Sequence, residues 1–195
     1  MPQVEPQHHR SLPIHPVKAA IVLAALVLWA HASDAAPPSF NGERRPFAIL
    51  TPAEPAPITP FHTARGGVTN LTRYRGKVVL LNIWATWCEA CLYEMPALDR
   101  LAAARNGKDF QVVTVSVDDG DRERVLGYLK KLNIRNLPAH MDPAGRVVRA
   151  FGAREGLPWT FIIDRLGRTR GYLMGAADWE SAAAGKLLDY YISRK

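Results

Sequence analysis

Apolar and polar positions alternate with different periods along the chain. The run Val78-Val79-Leu80-Leu81-Asn82-Ile83 is unbroken and partly β-branched, which predicts a central strand buried on both faces. Leu92, Met95, Leu98, Leu101 and Ala102 then recur at helical spacing, predicting a helix from the cysteines at 88 and 91 to about Arg105, with Gly107 ending it. Residues 110–117 read as a second buried strand. Asp121 is placed to cap a helix running to about Leu132. Residues 139–141 suggest a short strand and 145–151 a short helix. Residues 159–164 and 168–174 form two strands turned at Leu166-Gly167, and Asp178 is placed to cap a last helix reaching Ile192. Ahead of the central strand, Gly66-Gly67 marks a turn and 68–71 a short edge strand. The order β-α-β-α, then a β-hairpin and a final α, predicts an α/β fold: a mixed central sheet with helices on both faces.

The N-terminal part obeys other rules. Residues 19–30 are apolar, follow Lys18, and precede two small-x-small stretches, Ala30-His31-Ala32 and Ser33-Asp34-Ala35. This is the layout of a signal peptide, and the run is short for a membrane span of roughly 20 apolar residues. Residues 1–36 are thus expected to be a cleaved signal or a retained N-terminal membrane anchor. Either exports the remainder to an oxidising compartment, the periplasm in a bacterium. Residues 37–60 carry seven prolines (Pro37, Pro38, Pro46, Pro52, Pro55, Pro57 and Pro60) and read as an extended linker. The folded domain is expected over 61–195.

The formal net charge of +7 changes this picture little. The basic residues come in pairs, Arg44-Arg45, Lys130-Lys131 and Arg194-Lys195, without the aromatic interleaving of a nucleic-acid module. No nucleic-acid partner is expected; a basic surface could steer an acidic partner or anionic lipid headgroups.

The cysteines change it a great deal. The chain has 2, Cys88 and Cys91. A bridge across so short a loop constrains little chain, so stability is a poor reason for it, and redox chemistry or metal binding a better one. Two cysteines supply half of a tetrahedral zinc shell, and no histidine is near in sequence, so no metal is expected. Cys88 falls where strand gives way to helix. There the unsatisfied N–H groups and the helix dipole favour thiolate over thiol.

The stretch Gly76-Lys77-Val78-Val79-Leu80-Leu81-Asn82-Ile83-Trp84-Ala85-Thr86-Trp87-Cys88-Glu89-Ala90-Cys91, with Glu94 and Pro96 beyond it, resembles the TlpA/ResA-like family of extracytoplasmic thioredoxins. Gly156-Leu157-Pro158, Thr160-Phe161-Ile162-Ile163-Asp164 and Gly167 extend the match, which covers roughly 58–195. The resemblance implies a thioredoxin fold with extra elements and a thiol–disulfide oxidoreductase without a cofactor. Its partners would be cysteine-containing exported proteins and a membrane thiol electron donor, its clients those of cytochrome c maturation or copper-centre assembly, and its state monomeric.

The resemblance also assigns roles. Cys88 is the attacking sulfur and Cys91 the resolving one. Glu94, one turn on, stands in for the acid that many thioredoxins carry at the position of Asn82, and manages the proton of the resolving thiol. Glu89, between the cysteines, opposes thiolate formation and favours a reductant. Pro158 is the expected cis proline, which leaves the Leu157 backbone free to pair with an extended partner, and Trp87 is a contact surface. Pro96 is expected to kink its helix. One position departs from the family: the residue after Pro158 is usually Thr and here is Trp159, whose ring is expected beside the substrate groove.

Two other functions compete. A copper-binding chaperone of thioredoxin fold would usually space its cysteines C-x-x-x-C and add a distal histidine. His62 and His140 are the histidines of the domain, and His140 is expected at the surface. A peroxiredoxin needs Thr or Ser three residues before its reactive cysteine, where this chain has Ala85.

Overall fold

A computed structural model of the chain describes residues 36–120, 122–153 and 156–194. The chain divides into two units, Met1–Ala36 and Pro37–Lys195, and every element below belongs to the second. The expected signal or anchor at its apolar run and the expected cap Asp121 lie outside the described residues.

The strands are β1 (Ala48–Pro55), β2 (Phe61–His62), β3 (Val68–Thr69), β4 (Val78–Trp84), β5 (Phe110–Ser116), β6 (His140–Met141), β7 (Trp159–Ile163) and β8 (Arg168–Met174). The helices are α1 (Glu89–Arg105), α2 (Arg122–Lys131), α3 (Arg146–Ala150) and α4 (Ala182–Ile192), with a 3-10 turn over Leu71–Tyr74. One mixed sheet runs in the order β1-β8-β7-β4-β5-β6-β2-β3. β4 pairs parallel with β5 and antiparallel with β7, so it is central, and all of its residues are buried, as its continuous apolar run predicts. β7 and β8 form the expected hairpin.

Side-chain alternation along β4 divides the interior into two cores. Val78, Leu80 and Trp84 face one core with Met95 and Leu98 of α1, Leu187 and Leu188 of α4, and the cysteines. Val79, Leu81 and Ile83 face the other with Val113, Val115, Phe161 and Val147 of α3. Helices therefore cover both faces of the sheet.

The stretch 37–60 is not a linker. β1 pairs antiparallel with β8 at the sheet edge, and Phe40 and Phe47 are buried in the first core. The Phe40 ring lies 5.1 Å from that of Trp179. Burying two such rings contributes about 1.5–3 kcal/mol each, enough to hold the segment down. Its prolines are tolerated because an edge strand need not donate along its outer side. The last helix is capped by Ser181, not Asp178: the Ser181 hydroxyl accepts the Ala184 N–H at 3.2 Å, while the Asp178 carboxylate accepts the Glu180 N–H. α1 ends at an Asn106 cap, with Gly107 in the turn that follows.

Candidate active site

Cys88 is the N-cap residue of α1, with extended backbone, and its Sγ accepts the Cys91 N–H at 3.2 Å. The sulfur thus sits on the unsatisfied amides that begin the helix, as its position between strand and helix predicts. Cys88 and Cys91 are joined in a disulfide. Cys91 is fully buried, and Cys88, 8% exposed, is the more accessible residue of the pair. Glu89 and Ala90 are exposed.

Glu94 projects one turn beyond Cys91, inside the first core rather than into water; it is 1% exposed. Its Oε1 accepts a hydrogen bond from Asn82 Nδ2 at 2.7 Å. Its Oε2 accepts from the Ala177 N–H at 3.1 Å and from Trp179 Nε1 at 3.0 Å. Burial pushes the carboxyl pKa up from 4.5 to about 7 against the three donors, which pull it down. Asn82 also donates to Thr160 Oγ1 at 2.9 Å and is itself fully buried. Glu94 and Asn82 are thus in direct side-chain contact.

The loop that delivers Cys88 is held from below by a residue the sequence did not single out. Asp118, fully buried, accepts the Thr86 N–H at 2.8 Å, the Thr86 hydroxyl, and the Ser116 hydroxyl at 2.6 Å. Nothing in its local sequence, Val117-Asp118-Asp119-Gly120, separates it from a solvated loop acid. Trp179 was likewise missed, because its link to Glu94 is purely tertiary.

The Leu157–Pro158 peptide bond is cis. The β4–β7 register pairs Ile83 with Trp159 and so sets buried Pro158 level with Trp84, beside the strand end that leads to Cys88. Leu157 is half-buried. Trp87 is 68% exposed and Tyr93, on α1, 70%.

Trp159, directly after Pro158, turns away from the sheet face that carries Asn82. Its neighbour Thr160 points towards Asn82, so alternation sends the Trp159 ring to the opposite face, 6.0 Å from the Phe161 ring and 5.6 Å from that of Tyr172. Its indole N–H donates to the Gly156 carbonyl at 3.1 Å. His140 is not at the surface; it is 8% exposed, in β6, with its ring 5.3 Å from that of Phe61.

A family model described as the AhpC/TSA family matches residues 52–171. The chain belongs to the AhpC/TSA family. Relatives named thiol-disulfide oxidoreductase ResA agree with the resemblance in its sequence. The ResA of Geobacillus thermodenitrificans is 32% identical over 105 residues, 54% of this chain and 59% of its own. That of Bacillus cereus is 30% identical over 103 residues, 53% of this chain and 58% of its own. The chain thus spans somewhat under two thirds of the curated relatives it matches. Among solved structures, a thiol:disulfide interchange protein DsbE from Chlorobium tepidum superposes with a TM-score of 0.64 at 27% identity, over 72% of this chain and 96% of that one. The exposed lipoprotein thioredoxin Etrx1 of Streptococcus pneumoniae gives 0.56 at 28% identity, over 66% and 96%. This member of the AhpC/TSA family has the thioredoxin fold.

Proposed function

We propose that the chain is an exported thiol–disulfide oxidoreductase that reduces disulfides in other exported proteins through Cys88 and Cys91. The observation that carries this reading is the stack of Cys88 at the helix N-cap, Cys91 buried beneath it, and Glu94 buried one turn deeper. The names of the ResA and DsbE relatives support the reaction type. In the reduced protein, the Cys88 thiolate attacks one sulfur of a client disulfide. A Cys88–client S–S bond forms, the client bond breaks, and the departing client thiolate takes a proton. Cys91 then loses its proton to the Glu94 carboxylate, attacks Cys88 Sγ, and releases the second client thiolate, which is protonated in turn. The product is the Cys88–Cys91 disulfide, and a membrane thiol donor returns two electrons and two protons. Glu94 suits this step because a carboxyl that titrates near neutral pH both accepts and releases a proton there.

Exposed Trp87, with Leu157 and Pro158 at the neighbouring strand end, forms the surface for an extended client segment. Cytochrome c maturation and copper-centre assembly are the client pathways this reading favours. It places the protein in the periplasm, free or tethered through residues 1–36; among the described residues no helix is long and apolar enough to cross a membrane.

Glutathione equilibration tests the direction. The expected potential is nearer thioredoxin's roughly −270 mV than the roughly −120 mV of a strong oxidant, and a value above about −180 mV rejects the reductant reading. Cys91→Ala should trap client mixed disulfides through Cys88, whereas Cys88→Ala should trap almost none.

A further inference from the structure

Arg65, Arg73, Lys77 and Arg135 line an open cleft of about 960 Å³ at the β6-β2-β3 end of the sheet; Lys77 Nζ also donates to the Gly107 carbonyl and Arg135 Nε to Asn133 Oδ1 at 3.1 Å. Tyr74 and His140 form part of its wall, and neither cysteine, nor Glu94, nor Trp87, nor Pro158 lines it. The cleft is therefore separate from the redox site.

Its lining is positive, and the carboxylate of Asp99 lies behind the wall, where it accepts hydrogen bonds from the Arg135 and Asn136 backbone N–H groups and from Asn136 Nδ2. Among the described residues, no aspartate or glutamate lines it, and none pairs with any of the four cations. Several arginines elsewhere are paired: Arg100 with Glu180, Arg105 with Asp189, Arg146 with Asp142, Arg165 with Asp109, and Arg168 and Arg170 with Asp164. Arg122 adds a further positive charge from behind. It spends its Nη1 on two carbonyls, of Thr63 and Ala64, each at 2.6 Å, and so fixes the loop that carries Arg65. The resulting field reaches His140. Burial first, then Arg73 and Arg122, lower its pKa from 6.5 to about 4 and keep the ring neutral at pH 7. The Tyr74 hydroxyl lies 3.3 Å from His140 Nε2, while buried Nδ1 has no hydrogen-bond partner among the described residues.

We propose that this cleft binds a phosphate-bearing ligand with at least two negative charges, held by Arg65, Arg73, Lys77 and Arg135. Guanidinium forks meet phosphate oxygens two at a time, and a lysine adds a mobile point charge. Four cations without a carboxylate partner among the described residues, lining one concavity, focus the potential on an anion with more than a single charge. The volume falls within the range of small-molecule sites, roughly 300–1,000 Å³. The phosphate is either that of a soluble molecule or that of a lipid headgroup.

Calorimetric titration of the full chain with inorganic pyrophosphate, at about 0.15 M salt, tests the first source. Co-sedimentation with vesicles containing cardiolipin tests the second. The site variant is Arg73→Gln with Arg135→Gln. The control is Arg44→Gln with Arg45→Gln, which removes the same charge from exposed residues away from the cleft. The site variant should bind at least one probe about tenfold more weakly than wild type, and the control within about twofold. Both variants keep the same N-terminal segment, so vesicle binding is read from the difference between them. Loss with pyrophosphate alone assigns a soluble ligand; loss with vesicles assigns a headgroup. Insulin reduction should be unchanged in both variants, which separates this site from the redox reading. The proposal is overturned if neither probe binds, if both variants lose binding equally, or if citrate binds as tightly as pyrophosphate.

Discussion

The indole N–H of Trp179 donates to Oε2 of Glu94 at 3.0 Å, across 85 residues of sequence. This bond ties the redox helix α1 to the segment that enters α4, and it fixes a carboxyl that burial alone would push far from its ordinary titration range. Trp179 thus favours the ionised form of Glu94 although it carries no reactive group of its own.

Removing that donor should raise the Glu94 pKa further. Trp179→Phe keeps an aromatic ring against Phe40 but withdraws one of the three hydrogen bonds that favour the ionised form. The midpoint should move above about 7 by something like half a unit to one unit. Carboxyl chemical shifts of the oxidised protein, followed across pH, measure it directly. An unmoved midpoint would mean that the Asn82 and Ala177 donors alone set the value.

The docking of β1 can be tested at Gly171. A Cβ there would collide with the Ala48 carbonyl and the Phe47 ring. Gly171→Ala should therefore destabilise the domain by about 1–3 kcal/mol in urea unfolding. Gly127→Ala is the matched control. Its added methyl meets nothing within 4 Å and sits inside α2, where alanine should stabilise by about 1 kcal/mol. Equal effects at the two positions would return residues 37–60 to the status of a linker.

What the sequence revealed follows from which interactions are local. β4, α1 and the placing of Cys88 at a helix start were legible because a continuous apolar run, a helical repeat and a unique cysteine pair lie side by side. β1 was hidden by its prolines, since nothing local says that a sheet edge will accept them. The direction of Trp159 was not legible, because it follows by strand parity from Thr160 turning towards Asn82, a tertiary contact. His140 looked like a surface residue because the polar residues after it suggested a chain leaving the core, yet β6 pairs with both β5 and β2 and buries it. Asp118 and Trp179 carry no local mark, because each acts on a partner more than thirty residues distant.

Asp118 is a positioning residue for Cys88. Its carboxylate gathers the amide and hydroxyl of Thr86, two residues before the cysteine, together with the Ser116 hydroxyl. Asp118→Ala strands these donors in the interior, at a cost of about 1–3 kcal/mol for an unsatisfied buried group. A purely structural role would leave the chemistry of the surviving folded protein intact. The expectation here is different: at a temperature where the variant is fully folded, the pH profile of Cys88 alkylation should shift. Superimposable profiles would confine Asp118 to stability.

Glu94 and His140 should impose opposite pH dependences on stability, best seen in the oxidised protein, where the cysteines do not titrate. Folding raises the Glu94 pKa from 4.5 to about 7, so between those values the native state holds more protons than the unfolded chain. The Glu94 contribution is therefore fully present below about pH 4.5 and is lost as pH rises to about 7. Folding lowers the His140 pKa from 6.5 to about 4, so there the unfolded chain holds more protons. Its contribution is present above about pH 6.5 and is lost as pH falls to about 4. Each shift spans about 2.5 units (7 − 4.5 and 6.5 − 4), an upper bound of about 3 kcal/mol apiece at 1.36 kcal/mol per unit. The windows overlap from about pH 4.5 to 6.5, so in the wild type the two slopes largely cancel. Single substitutions should expose them. Relative to wild type, Glu94→Gln should gain stability progressively as pH rises from 4.5 to 7, and His140→Phe should gain as pH falls from 6.5 to 4. Other titrating groups are common to all the proteins and drop out of these differences. Urea unfolding at about pH 5, 6 and 7 is sufficient, since over that span the two difference curves must slope in opposite directions. Curves parallel to wild type would mean that both groups titrate in the folded protein much as they do in the unfolded chain, and would remove the neutral-pH carboxyl on which the proton step from Cys91 depends.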